Sequence, residues 1–229
     1  MLKKHLAFTI VYTLIAILHV VGLCIESTAL IQYTKPLIVV SLALYLTMST
    51  LLKGRFHKRI LAGLIFALVG DILLLFVAKN PNYFSYGLAA FMFCHIFYIS
   101  AFYLDFKSAP QLDKKGAKVA IIVCGIVSTL FFFYLRAHLG VMRVPVLAYT
   151  LVISFMVMMA AFRNQRVNSF SFNFVLLGAI IFMLSDAILA YNKFVFQFSY
   201  AELLIMVIYS TAQYFIIIGA VERRLIHTT

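Results

Sequence analysis

Acidic side chains are nearly absent from this sequence. Only 7 of 229 residues are Asp or Glu, and residues of both charges together make up 11%. A soluble domain averages about 25% charged residues, so this chain cannot solvate a globular surface of its size. Tryptophan is missing altogether. The interfacial belts of a membrane protein would then fall to Tyr and Phe, as in NYFSYG (82–87) and FVFQFSY (194–200). The three cysteines, Cys24, Cys94 and Cys124, form no C-x-x-C pair, and each sits in an apolar run. That pattern excludes a disulfide framework and a thiolate metal site, and reads them as small core residues. Of the four prolines, all lie at the ends of apolar segments.

Long apolar runs are what the chain does have. Hydrophobic residues make up 65%, and the mean hydropathy is +1.05. Eight runs stand out, at about 6–25, 33–52, 60–78, 84–104, 117–136, 145–162, 172–192 and 201–220. Each approaches the roughly 20 residues that cross a bilayer. The spacers KGRFHKR (53–59), KNPN (79–82), KSAPQLDKKG (107–116) and RNQRVNS (163–169) leave no room for a soluble domain. The expected fold is an all-α polytopic membrane protein of eight transmembrane helices, one domain over residues 1–229. The first run is too long for a signal-peptide core, and no A-x-A-like site follows it, so it reads as a transmembrane helix.

The net charge of +12 does not point to nucleic acid, because the cations cluster between apolar runs rather than along one face. With eight spans, 14 of the 19 Lys and Arg fall on the side of both termini, among them Lys53, Lys114, Arg163 and Arg223. Lys35, Lys79, Arg136, Arg143 and Lys193 fall on the other. The positive-inside rule then places both termini in the cytoplasm.

Two acids break this pattern. LAGLIFALVGDILLLF (61–76) holds Asp71, and LLGAIIFMLSDAILAY (176–191) holds Asp186. Gly63 and Asp71 match Gly178 and Asp186 at an offset of 115, and FSY (84–86) recurs at 198–200, offset 114. That register sets His95 opposite Tyr209, and Pro36 roughly opposite Pro145. The pattern predicts a parallel 4+4 internal repeat, which would bring both acids toward a shared axis. An Asp at a helix centre costs roughly 2.5–3.5 kcal/mol on insertion, and such residues usually face a polar cavity.

Helical spacing supplies their companions. Gly87, Phe91, His95 and Tyr98 share one face, and Glu202, Met206, Tyr209 and Gln213 another. Lys193 lies on the Asp186 face near the interface, and Lys35, with Pro36, is expected to open the second helix. Both lysines have two readings, as phosphate receptors or as cations snorkelling to headgroups. Depth along the helices predicts a cavity open toward the outer leaflet or laterally to lipid. Two facing carboxyls fit acid–base hydrolysis, and equally a proton-coupled transporter or binding protein for a lipid or small amphiphile. No metal-ligand spacing is present, and no cofactor is expected.

The ordered segments TKPL (34–37), GLIFALVGDILLLF (63–76), FSYGLAAFMFCHIFYISAF (84–102), GAIIFMLSDAILAYNKF (178–194) and YSTAQYFIIIGA (209–220) together resemble the YhhN-like membrane proteins, the lysoplasmalogenase family. The resemblance runs from about Tyr33 to Ala220. It implies an eight-helix enzyme, expected in a bacterial inner membrane. Such an enzyme uses water to cleave the vinyl-ether bond of lysoplasmenyl-ethanolamine or -choline, giving a fatty aldehyde and a glycerophospho-base. It implies Asp71 and Asp186 as catalytic residues, with Lys35, Pro36 and His95 matching other family positions. Ser185 departs from the Gly70 of the first half. On this reading Lys35 and Lys193 receive the phosphate, and His95, Tyr98, Tyr209 and Gln213 orient water or the carboxyls.

Overall fold

The computed structural model describes residues 2–112 and 115–226, and the side chains among them except those of 2–4, 115 and 117. Lys114 lies outside the described residues, as do the side chains of Lys3, Lys4 and Lys115. The elements run α1 (Leu2–Cys24), α2 (Thr28–Thr50), α3 (Arg55–Leu75), α4 (Asn82–Ser108), α5 (Lys115–Leu135), a 3₁₀ turn (Gly140–Met142), α6 (Arg143–Ala161), α7 (Ser169–Phe194) and α8 (Ala201–Val221). Every expected helix is present, each slightly longer than its apolar run. Seven are long and apolar enough to cross a membrane. The exception is α3, whose first turns carry Arg55, Lys58 and Arg59 and shorten its apolar stretch. The chain is an integral membrane protein.

Helix α2 corrects one expectation. It begins at Thr28, so Lys35 and Pro36 lie inside it rather than at its start. Pro36 has no N–H for the carbonyl one turn back, yet the helix continues unbroken to Thr50. Tight turns follow: Leu51, Leu52 and Gly54 all adopt positive φ, at 49°, 50° and 87°.

Two helix pairs pack most extensively, α3 with α4 and α7 with α8. Small residues allow the close approach, as is usual where no hydrophobic effect draws helices together. A Cβ on Gly63 would meet the Tyr98 ring at 2.4 Å, and one on Gly178 would meet the Ala212 carbonyl at 2.8 Å and the Ile216 nitrogen at 2.9 Å. The second helix packs against α3 and α8, and α6 against α7 and α4. Helices α1 and α5 lie at the periphery and show apolar side chains outward, Leu14 and Ile17 on one, Ile122 and Leu130 on the other. In lipid such faces are solvated rather than sticky. Helix α5 packs mainly on α6.

One end of the bundle is fastened by charge. Asp105 of α4, fully buried, accepts from Arg163 Nε at 2.8 Å and from Arg223 Nη2 at 2.5 Å. Arg163 Nη2 donates to Ser171 Oγ at 2.8 Å, and that hydroxyl donates to the Gly219 carbonyl at 2.6 Å. Arg223 also lies 4.3 Å from the Phe56 ring centre. Burial pushes the Arg163 guanidinium below its ordinary pKa, and the Asp105 carboxylate opposes that shift. The sequence counts these arginines among the cations on the side of both termini. Arg163 and Arg166 are buried: α4 and α7 supply acceptors to Arg163, and the carbonyls of Phe162, Asn164 and Leu112 supply them to Arg166. Cys24 differs in the other direction: it is exposed at the end of α1, whereas Cys94 and Cys124 are buried as expected.

Candidate active site

Asp71 sits about four-fifths along α3 and is 2% exposed. Its Oδ2 accepts from the Tyr209 hydroxyl of α8 at 2.8 Å. Behind it the donors line up. Tyr98 of α4 donates to Gln213 Oε1 at 2.7 Å, and Gln213 Nε2 donates to the Tyr209 oxygen at 3.4 Å. All three bonds run toward the carboxylate, so each polarises the next and Tyr209 is held as a donor.

Asp186 of α7 has a different setting. Its Oδ2 accepts from the Tyr149 hydroxyl of α6 at 2.5 Å, and His95 Nε2 of α4 lies 3.2 Å from the same oxygen. His95 Nε2 is also 2.9 Å from the Tyr149 oxygen. The Tyr149 proton is committed to Asp186, so the network assigns the proton to Nε2 of His95. Among the described residues, the buried Nδ1 of His95 has no hydrogen-bond partner. The ring of Phe182 spans the two settings, 4.8 Å from His95 and 5.3 Å from Tyr209 by ring centres.

Both carboxyls line one cavity of about 450 Å³. Its wall includes Tyr209, His19, Lys35, Asn192, Lys193, Gln197 and Glu202, so the polar groups come from α1, α2, α7, α8 and the α7–α8 turn. Lys193 also lies 5.0 Å from the Phe84 ring centre. His19 is 1% exposed and pairs through Nδ1 with Thr34 Oγ1 at 2.7 Å. The Thr34 hydroxyl donates to the Leu30 carbonyl, so His19 is the donor in that pair, and its Nε2, without a partner among the described residues, is an acceptor.

Of the residues singled out from sequence, Asp71, Asp186, Tyr209, Lys35 and Lys193 meet in the cavity wall. His95, Tyr98 and Gln213 do not line it; they stand behind the acids, and each is fully buried. The sequence reading missed Tyr149. It lies one turn beyond Pro145 in an apolar run, and nothing in its neighbours separates it from a packing tyrosine.

The sequence profile of the YhhN family matches residues 30–220. The chain belongs to the YhhN family. Its curated relatives include the human lysoplasmalogenase TMEM86A, 33% identical over 170 residues, which are 72% of this chain and 66% of the relative. Bovine lysoplasmalogenase TMEM86A is 32% identical over 171 residues, covering 72% and 66%. Mouse lysoplasmalogenase TMEM86B is 31% identical over 162 residues, covering 70% and 62%. The chain thus spans just under two thirds of the length of these relatives. No solved structure matches it. The family profile starts at residue 30, beyond α1, so His19 is a cavity residue outside the family match.

Proposed function

We propose that this YhhN-family chain is a membrane hydrolase of lysoplasmalogens, built as one transmembrane domain of eight spans. The observation that carries the reading is the placement of two carboxyls, on α3 and α7, in the wall of one polar cavity. The names of the curated relatives supply the reaction class. The substrate is a lysoplasmenyl-ethanolamine or -choline, with Lys35 and Lys193 receiving its phosphate. Both termini lie in the cytoplasm, and the cell is bacterial. A 4+4 repeat is supported by the crossing of the donors. Tyr209 of the second half serves Asp71 of the first, and its offset partner His95 serves Asp186.

A vinyl ether is cleaved by acid. A carboxyl proton adds to the carbon β to the ether oxygen. The π pair forms the new C–H bond, and the oxygen lone pair gives an oxocarbenium ion. Water attacks the carbon that bears oxygen and loses a proton to the second carboxylate. The hemiacetal then collapses: its C–O bond to glycerol breaks, and the glycerol oxygen takes that proton. The hemiacetal hydroxyl returns a proton to the first carboxylate, which resets both acids. The charge demand matches glycoside hydrolysis, where two carboxyls divide the same work.

The purified protein in detergent, incubated with lysoplasmenyl-ethanolamine, is expected to release a long-chain aldehyde detectable by mass spectrometry. Acyl-lysophosphatidylethanolamine is expected to yield no free fatty acid. Fatty-acid release would mark an ester hydrolase, and absence of aldehyde would overturn the reading. Tyr209→Phe removes a buried donor and leaves Gln213 Nε2 without its acceptor. An unmade buried bond costs about 1–3 kcal/mol, so kcat is expected to fall roughly tenfold or more. Unchanged turnover would show that the donor chain does not tune Asp71.

A further inference from the structure

A second cavity lies beside the first, with Asp186 in the wall of both. It holds about 290 Å³ between α5, α6 and α7, and shares Phe84, Asp186 and Leu189 with the polar cavity. Its wall is apolar, with Phe131, Leu135, Val146, Ile153 and Met183 among its residues. The polar side chains in it are already engaged. Tyr149 donates to Asp186, Thr150 to the Val146 carbonyl at 2.8 Å, and Ser128 pairs with Ser154 at 2.5 Å. Asp186 Oδ1, at the edge of the chamber, keeps an open acceptor, while the apolar remainder of the wall suits hydrocarbon. A further apolar cavity of about 850 Å³ shares Ser128 and Thr150 with it and continues along α5 and α6.

We infer that the chamber between α5, α6 and α7 holds the hydrocarbon chain of a 1-alkenyl lysophospholipid whose headgroup lies in the polar cavity. The inference rests on the proposed function and adds the binding mode. In such a lipid the polar glycerol joins the apolar chain at the vinyl ether itself. In this protein Asp186 stands in the wall of both the polar cavity and the apolar chamber. Seating the substrate by polarity therefore sets the scissile group beside Asp186. The β-carbon is the chain-side carbon, so it approaches Asp186 from the chamber. Tyr149 and His95 both engage Oδ2, which leaves Oδ1 to carry the proton. Asp186 is then the proton donor. Asp71, on the wet side and 2% exposed, takes the proton of the attacking water.

A saturated 1-O-alkyl lysophosphatidylethanolamine with a diazirine at its chain end tests the chamber without turnover, since it has no double bond to protonate. After irradiation, the adducts are expected on α5, α6 and α7 residues such as Phe131, Ile153 and Met183. Val146→Phe and Ala190→Phe, which fill the chamber, are expected to reduce them at least fivefold. Adducts confined to the outer face of α1, or unchanged in both filled variants, overturn the chamber. This readout stands even if the wild type releases no aldehyde, the result that defeats the proposed function alone. With an active enzyme, Ala190→Phe is expected to lower the ratio of C16 to C8 alkenyl turnover at least tenfold, and an unchanged ratio overturns the binding mode. The roles of the acids are read from residual rates. Asp186→Asn is expected to speed up as pH falls, with hydronium replacing the donor. Asp71→Asn is expected to speed up as pH rises, with hydroxide replacing the base. Opposite signs reverse the assignment.

Discussion

Asp71→Asn and Asp186→Asn are each expected to lower aldehyde release at least about 100-fold, the scale of losing a positioned acid or base. Asparagine keeps the size and shape of the side chain. Its carbonyl oxygen can still accept from Tyr209 at position 71, or from Tyr149 at position 186, so the bundle is expected to fold. What disappears is the proton that the carboxyl donates or accepts. Melting curves in the same detergent should differ little from wild type. The double variant is expected to be scarcely worse than either single one, because groups that act as a unit are not additive. A variant retaining more than a tenth of wild-type turnover would remove that aspartate from the chemistry.

Asp105→Ala is expected to have the largest effect on stability. It leaves Arg163 and Arg223 buried or half-buried around a missing counter-ion. Removing one partner of a buried pair costs about 3–5 kcal/mol, which for a chain of this size lowers Tm by roughly 6–20 °C. With no Trp to report unfolding, helical circular dichroism is the suitable probe. Asp105→Asn, which still accepts one hydrogen bond, is expected to fall in between. Because Asp105 is not part of the cavity wall, turnover per folded molecule should be unchanged. A wild-type Tm in Asp105→Ala would show that the cluster does not fasten the helix ends.

The helices were legible because hydropathy alone decides where a chain can enter lipid. The acids were legible because an Asp inside an apolar run is conspicuous. Tyr209 and His95 could be paired in advance from the offset between halves, and Tyr209 does reach the cavity. The sequence could not tell lining from backing. His95, Tyr98 and Gln213 share helix faces with cavity residues, but His95 backs onto Asp186, and Tyr98 and Gln213 reach Asp71 only through Tyr209. Tyr149 went unseen because a lone tyrosine in a greasy helix has no pattern. The start of α2 was misplaced because Pro36 resembles a helix opener, and sequence does not show that neighbouring helices hold the turn together. The burial of Arg163 was hidden for a similar reason: its acceptors lie 58 positions upstream at Asp105 and in α7.

The donor to Asp71 has a consequence for how the protein is made. Asp71 enters the membrane with the third helix, but Tyr209 and Gln213 arrive on the eighth. Through most of synthesis the first acid is therefore without its hydroxyl, and a chain truncated before α8 carries a bare carboxyl in lipid. Of the elements that set Asp71 in its donor chain, α8 is thus the last to be translated.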